Sequence, residues 1–220
     1  DDFFVLFNPK DIVSGDFYWV FEKENYLYVD VSDCTGHGVP GAFLTMLGTS
    51  FLNEIMTTVD QLSPADILDQ LREKFIRELG ETETRDGMDI SLIRLNKDTK
   101  EFQWAGALRP LLILRNGAQK MDTIHGDRQS ICFVENQIPF TNIEGTLEKG
   151  DTVYLFSDGY ADQFGGEKGK KFKMKQLVSL LISLNNQPME MQKKALASSF
   201  EEWKEGFEQI DDVCVFGIKF

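Results

Sequence analysis

The sequence predicts an α+β fold, an antiparallel β-sandwich flanked by helices. Three observations carry this expectation. The hydrophobic periodicity runs strands, two helices, strands, two helices, strand, with no regular βαβ alternation, which sets aside a doubly wound parallel sheet. The strand-like runs are short, aromatic-rich and β-branched, and tight polar turns separate them, as antiparallel pairing requires. At 220 residues and 42% hydrophobic content the chain can bury one large core, so a single domain over residues 1–220 is expected.

Phe3-Phe4-Val5-Leu6-Phe7 is the first strand-like run. Asp16–Phe21 and Tyr26–Val31 then flank the polar turn Glu22-Lys23-Glu24-Asn25 and predict a hairpin. In antiparallel strands the start of the first lies beside the end of the second, so Asp16 and Asp33 are expected at one open end. Val39, Phe43, Met46, Leu47, Phe51 and Ile55 recur at helical spacing around Pro40, predicting a buried helix over 39–57 behind Gly36-His37-Gly38. Ser63-Pro64-Ala65-Asp66 reads as a helix cap, a first-turn proline and an acidic residue near the positive helix end, ahead of Ile67, Leu68, Leu71, Phe75, Ile76 and Leu79. Strands over 88–95, 101–104, 111–114, 118–123 and 152–156 predict a second antiparallel group. A glycine- and lysine-rich loop over 165–171, helical patterns at 174–184 and 189–204, and a last strand over 213–220 complete the chain. The loop reads either as a solvated turn or as a basic patch that steers a phosphorylated substrate. Trp19, Trp104 and Trp203 are expected in the core or under helices.

A formal net charge of −13 argues against nucleic acid as a partner, since a phosphate-backbone binder carries a basic face. Most of that charge reads as a solubilising surface; clustered carboxylates also repel one another unless cations sit among them. Cys34, Cys132 and Cys214 are odd in number and widely spaced, without zinc-site or disulfide spacing, which fits a reducing cytoplasm. No apolar run approaches the ~20 residues of a membrane-spanning helix. The chain opens without Met, directly in a strand, and is expected to be a domain of a longer protein.

Aspartates recur where strands break. Asp16 opens a strand, Asp33 closes the next, Asp158 follows Val153-Tyr154-Leu155-Phe156, and Asp211-Asp212 opens the last run. Singly, each reads as a turn former. Jointly, an antiparallel pairing would bring Asp158 beside Asp211 as it brings Asp16 beside Asp33, and four carboxylates would then converge. Such a set, without histidine or thiolate clusters, favours hard cations such as Mg²⁺ or Mn²⁺, and two such ions suit phosphoryl hydrolysis.

Ser14-Gly15-Asp16-Phe17-Tyr18-Trp19, Asp33-Cys34-Thr35-Gly36-His37-Gly38-Val39-Pro40-Gly41-Ala42, Ser157-Asp158-Gly159 and Asp211-Asp212-Val213 follow one another as in the PPM (type 2C) metal-dependent protein phosphatases. The chain most resembles their SpoIIE/RsbU branch, bacterial serine phosphatases of partner-switching regulation. The resemblance spans residues 3–220 and includes Ala105-Gly106-Ala107, Gly126-Asp127-Arg128-Gln129 and Asp162-Gln163-Phe164-Gly165-Gly166. It implies an α-β-β-α sandwich and two Mn²⁺ or Mg²⁺ ions. Asp33 would bridge the ions, with Asp16, Asp158, Asp211 and the Cys34 backbone carbonyl as further ligands. Asp86 or Asp89 would serve a third, weaker ion. A metal-bridging water would attack a serine or threonine phosphate, and His37 would either protonate the leaving oxygen or only shape its turn. The implied substrate is a phosphorylated STAS anti-anti-sigma-type protein, with no membrane contact from this domain. Homodimerisation and N-terminal sensor regions acting through the helix at 39–57 are also implied.

The chain departs from better-known relatives at its first acidic motif, where Gly15-Asp16 replaces a Glu-Asp pair and only Lys10 lies upstream in place of a phosphate-binding arginine. Lys10 and Arg109 are the candidate phosphate anchors, with Arg109-Pro110 expected in a loop. Two other readings remain open from the residues alone: a pseudophosphatase that signals through contacts, and a small-molecule phosphoesterase.

Overall fold

The computed structural model describes residues 2–58, 61–80 and 86–220. The chain opens with β1 (Asp2–Asn8), then the hairpin of β2 (Asp16–Lys23) and β3 (Tyr26–Cys34), followed by helices α1 (Gly38–Thr58) and α2 (Pro64–Leu79). Strands β4 (Met88–Asn96), β5 (Glu101–Ala107), β6 (Leu111–Leu114), β7 (Asp122–Ile124), β8 (Ile143–Thr146) and β9 (Thr152–Phe156) come next. A single turn, α3 (Gly159–Asp162), leads into the miniature hairpin β10 (Phe164–Gly165) and β11 (Lys170–Lys171). Helices α4 (Met174–Leu184) and α5 (Met189–Lys204) and strand β12 (Val213–Lys219) finish the chain.

Two five-stranded antiparallel sheets face each other, ordered β2-β3-β4-β5-β8 and β1-β12-β9-β6-β7. The sequence predicts a separate antiparallel group over 88–156; the structure instead divides those strands between the two sheets. β4, β5 and β8 extend the first hairpin, whereas β6, β7 and β9 join the sheet of both termini. The crossing falls at Leu108-Arg109-Pro110, where Leu108 takes φ +60 and breaks strand geometry. Val29, Val31, Ile93 and Trp104 of one sheet pack against Leu111, Val153, Leu155, Cys214 and Phe216 of the other. That apolar layer holds the strand ends in fixed relation. Helices α1 and α2 cover the outer face of the first sheet and α4 and α5 that of the second.

The Ser63 cap forms as the sequence predicts: its hydroxyl accepts from the Asp66 amide at 3.2 Å while the Asp66 carboxylate receives the Ser63 amide. The face of α1 is a correction. Val39, Phe43 and Met46 are exposed by 77%, 59% and 73%, and Gly41, Leu44, Gly48, Leu52, Ile55 and Met56 turn inward. Gly41 bears on this, because a Cβ there would collide with the Gly36 carbonyl oxygen and lie 2.8 Å from the Gly15 Cα, both backbone atoms, whereas Gly48 packs against the ends of the Met88 and Phe17 side chains. The start of the helix lies too close to the Gly36 turn for a side chain at Gly41. Strand β8, Ile-Glu-Gly-Thr, is an edge strand with little β propensity that the pattern misses, and the run over 118–123 contributes only Asp122–Ile124. The glycine- and lysine-rich loop folds back onto Trp203, and Lys171 pairs with Asp162 at 2.7 Å. Among the described residues no helix is long and apolar enough to cross a membrane.

Candidate metal centre

The hairpin register places Asp16 directly opposite Asp33, and Asp33 in turn opposite Asp89 of β4. From the facing sheet, β9 and β12 run antiparallel, so Asp158 just beyond β9 and Asp211 just before β12 reach the same edge. The four aspartates expected from the sequence therefore share one end of the sandwich. The adjacent pair Asp211-Asp212 divides its labour. Asp212 is buried and accepts the backbone amides of Lys10 and Gly15, each at 2.7 Å, which ties the loop before Asp16 to the start of β12. Asp211 instead feels the charges of Asp158, Asp212 and His37.

Local backbone chemistry seats the Asp33 side of the site. Gly36 and Gly38 take φ +82 and +65, conformations that favour glycine, and turn the chain sharply from β3 into α1. Thr45 of α1 donates its hydroxyl to the Ser14 and Gly15 carbonyls at 3.1 and 3.0 Å, so the helix also holds the strand that begins with Asp16. The Cys34 thiol is buried against Thr45, and burial pushes its pKa up. Its carbonyl, the ligand atom the resemblance implies, lies at the end of β3 near Gly15.

Burial first, then the neighbouring Asp33 charge, push the Asp16 carboxyl far above the ordinary carboxylate range. Asp33 is also pushed up, by burial and by Asp158, Asp211 and Asp89, with the Arg109 guanidinium pulling the other way. Asp89 shifts upward through burial despite a 2.6 Å hydrogen bond from the Ser130 hydroxyl. Asp86 is exposed.

Arg109 is the residue whose place the sequence does not disclose. From the β5–β6 crossing it reaches into the cluster, and Nη2 lies 2.6 Å from Asp33 Oδ2, 2.8 Å from Asp158 Oδ2 and 3.3 Å from Asp89 Oδ2. The small run Ala105-Gly106-Ala107 just before it was the available signal: Gly106 and Gly126 pack so closely on the Arg109 backbone that neither has room for a Cβ. Beside the cluster, His37 Nε2 lies 3.0 Å from Lys10 Nζ and Nδ1 lies 2.9 Å from Asp11 Oδ2. An ammonium only donates, so Nε2 accepts and the ring hydrogen sits on Nδ1, donated to Asp11. His37 is thus held at the rim by Lys10 and Asp11 of the loop before β2, not by the clustered aspartates at the strand ends.

Among the described residues no three Asp, Glu, His or Cys side chains close on one point as a ready metal cage; three carboxylates close on Arg109 instead. The donor chemistry nevertheless fits hard divalent cations. Every side-chain donor is a carboxylate, Asp16 Oδ2 is buried with no hydrogen-bond partner, and one guanidinium faces several negative groups.

Two antiparallel sheets between paired helices, with aspartates at the strand ends, are the architecture of PP2C-type serine/threonine protein phosphatases, and that is the class of this domain. The sequence model for stage II sporulation protein E (SpoIIE) matches residues 23–220, and the chain belongs to the SpoIIE family. Among solved structures, the SiaA-PP2C domain of Pseudomonas aeruginosa is 30% identical, with a TM-score of 0.90 over 99% of this chain and 85% of that one. The RsbU and RsbW domains of Rv1364c from Mycobacterium tuberculosis match at 16% identity and a TM-score of 0.78, over 99% of this chain and 59% of that one. RsbX in complex with magnesium matches at 12% identity and a TM-score of 0.67, over 98% and 92%. The last two likenesses show the shared fold. No curated protein matches by sequence.

Proposed function

We propose that the acidic edge hydrolyses phosphoserine or phosphothreonine on a regulatory protein, with a phosphorylated STAS-type protein as substrate. The observation that carries this reading is the meeting of Asp16, Asp33, Asp158 and Asp211 from both sheets at one edge. Asp33, at the centre of the carboxylates, would hold the metal pair together with Asp16, Asp158, Asp211 and the Cys34 carbonyl, and Asp89 would suit a third ion. Two Mg²⁺ or Mn²⁺ ions, when bound, supply an activated water and neutralise charge on the phosphoryl group. Magnesium in the RsbX structure supports a divalent ion here.

The chain's own residues then have distinct tasks. Asp212 and Thr45 fix the backbone that carries Asp16, and the Gly36-His37-Gly38 turn fixes that of Asp33. His37 with Lys10 forms the proton-bearing pair at the rim, within reach of the Asp211 charge, and serves the leaving oxygen. The occurrence of an RsbU domain alongside an RsbW domain in one relative supports a partner-switching role with protein partners.

The test is turnover of p-nitrophenyl phosphate and of a phosphorylated STAS protein with Mn²⁺, with Mg²⁺ and with chelator, beside Asp33→Asn. Metal-dependent turnover that Asp33→Asn lowers by more than ~1000-fold is expected. Silence with every metal contradicts the enzyme reading, and turnover of metabolite phosphates without any of the phosphoprotein contradicts the substrate.

A further inference from the structure

Resting on the phosphatase reading above, we infer that Arg109 is the residue that grips the substrate phosphate, and that it exchanges carboxylate partners for phosphate oxygens as divalent ions bind. The geometry is that of a cation in the centre of the acidic edge. Nη2 alone touches Asp33, Asp89 and Asp158. Among the described residues Nη1 makes no ion pair or hydrogen bond, and Nε is buried without a partner. A guanidinium has five N–H donors in a planar fork, a shape that matches a phosphate's paired oxygens better than three carboxylates crowded on one nitrogen.

The backbone of this arginine is locked. The Leu108 amide donates to the Asp127 carbonyl at 2.9 Å, the Arg109 amide to the Ala107 carbonyl at 2.7 Å, and the Ser91 hydroxyl to the Pro110 carbonyl at 3.3 Å. The side chain therefore pivots from a fixed base. A divalent ion drawn to Asp33 and Asp158 competes with Nη2 for the same oxygens. Once those carboxylates are neutralised by the ion, the guanidinium loses its acceptors while remaining tethered within a side chain's length of them. A phosphate dianion at the ions offers replacements. Lys10, the other candidate anchor, is already engaged, because its Nζ lies against His37.

The experiment compares wild type, Arg109→Met and Arg109→Lys in two binding measurements that need no turnover. Inorganic phosphate binding to the Mg²⁺-loaded protein is followed by ³¹P NMR, and Mn²⁺ binding without phosphate by calorimetry. Arg109→Met is expected to weaken phosphate binding by ~10- to ~100-fold, the range for one lost charge-assisted bond, with Arg109→Lys between. Its Mn²⁺ affinity is expected to equal or exceed that of wild type, because a competitor has been removed. Unchanged phosphate binding in Arg109→Met, no phosphate binding by wild type, or a fall in Mn²⁺ affinity beyond ~10-fold each overturns the assignment; the last makes Arg109 an organiser of the carboxylates. If Arg109→Met does not fold, Arg109→Lys decides, since unchanged phosphate affinity without the fork also overturns it. Turnover of p-nitrophenyl phosphate by the wild type separates failure of this assignment from failure of the phosphatase reading.

Discussion

Asp151 and Asp16 are almost equally buried, 2% and 3% exposed, and sit at opposite ends of the sandwich, yet their surroundings differ in kind. Asp151, just before β9, accepts the Asn116 amide at 2.8 Å, the Glu148 amide at 3.0 Å and Arg115 Nη1 at 2.8 Å. Burial works against its charge, but these donors outweigh it and hold its pKa below the ordinary carboxylate value. Asp16 has one oxygen without any donor and several like charges nearby, and its pKa moves up. A carboxylate saturated with N–H donors is scaffold; one left short of them beside other carboxylates calls for a cation. Asp30 shows why the clustering matters. It too is buried with an unpartnered oxygen and pushed up by burial, but only hydrogen bonds from Ser32 and the Trp19 backbone oppose that, with no carboxylate among its shifting neighbours.

The contrast yields graded expectations. Asp16→Asn should lower metal-dependent turnover by more than ~100-fold while leaving the melting temperature in chelator equal to or above that of wild type. Asp151→Ala should do the reverse: turnover per folded molecule is kept, while stability falls by about 2 kcal/mol, a drop in Tm of roughly 4–8 °C. Swapped outcomes break the comparison. His37→Ala should cost about 100-fold in turnover, the lower end of the range for one general acid, with metal binding unchanged. Loss of metal binding in that variant would place His37 among the structural supports.

The smallest effect is in pH. A carboxyl whose pKa rises on folding binds more protons in the folded state, so stability is lost as pH climbs above the unfolded value of about 4. In chelator, wild type should therefore lose stability from about pH 4 toward neutrality, and Asp16→Asn should flatten that loss. For Asp151 the sign reverses: its contribution is present above about pH 4 and disappears as acid protonates it, so wild type and Asp151→Asn should converge at low pH. Urea melts across pH read both slopes.

Much of the acidic edge was legible because antiparallel register is arithmetic. The turn after Lys23 fixes the hairpin, and the hairpin puts Asp16 opposite Asp33. The Ser63 cap was legible because its chemistry is local. Arg109 was not, since its place depends on where β5 leaves one sheet for the other, and that crossing rests on the positive φ of Leu108 and on long-range packing at Gly106 and Gly126. The buried face of α1 was misread for a related reason. Apolar residues occur all around that helix, and its inward face includes Gly41, pressed against backbone, and Gly48, neither of which carries a hydrophobic signal. Val39, Phe43 and Met46 were left outside as a result.

The most direct test of the claim that the two ends differ in kind is a calorimetric Mn²⁺ titration of wild type, Asp33→Asn and Asp151→Asn at neutral pH. Two ions per chain in wild type and in Asp151→Asn, with binding lost in Asp33→Asn, is the expected result. No binding in wild type, or equal binding in all three proteins, contradicts it.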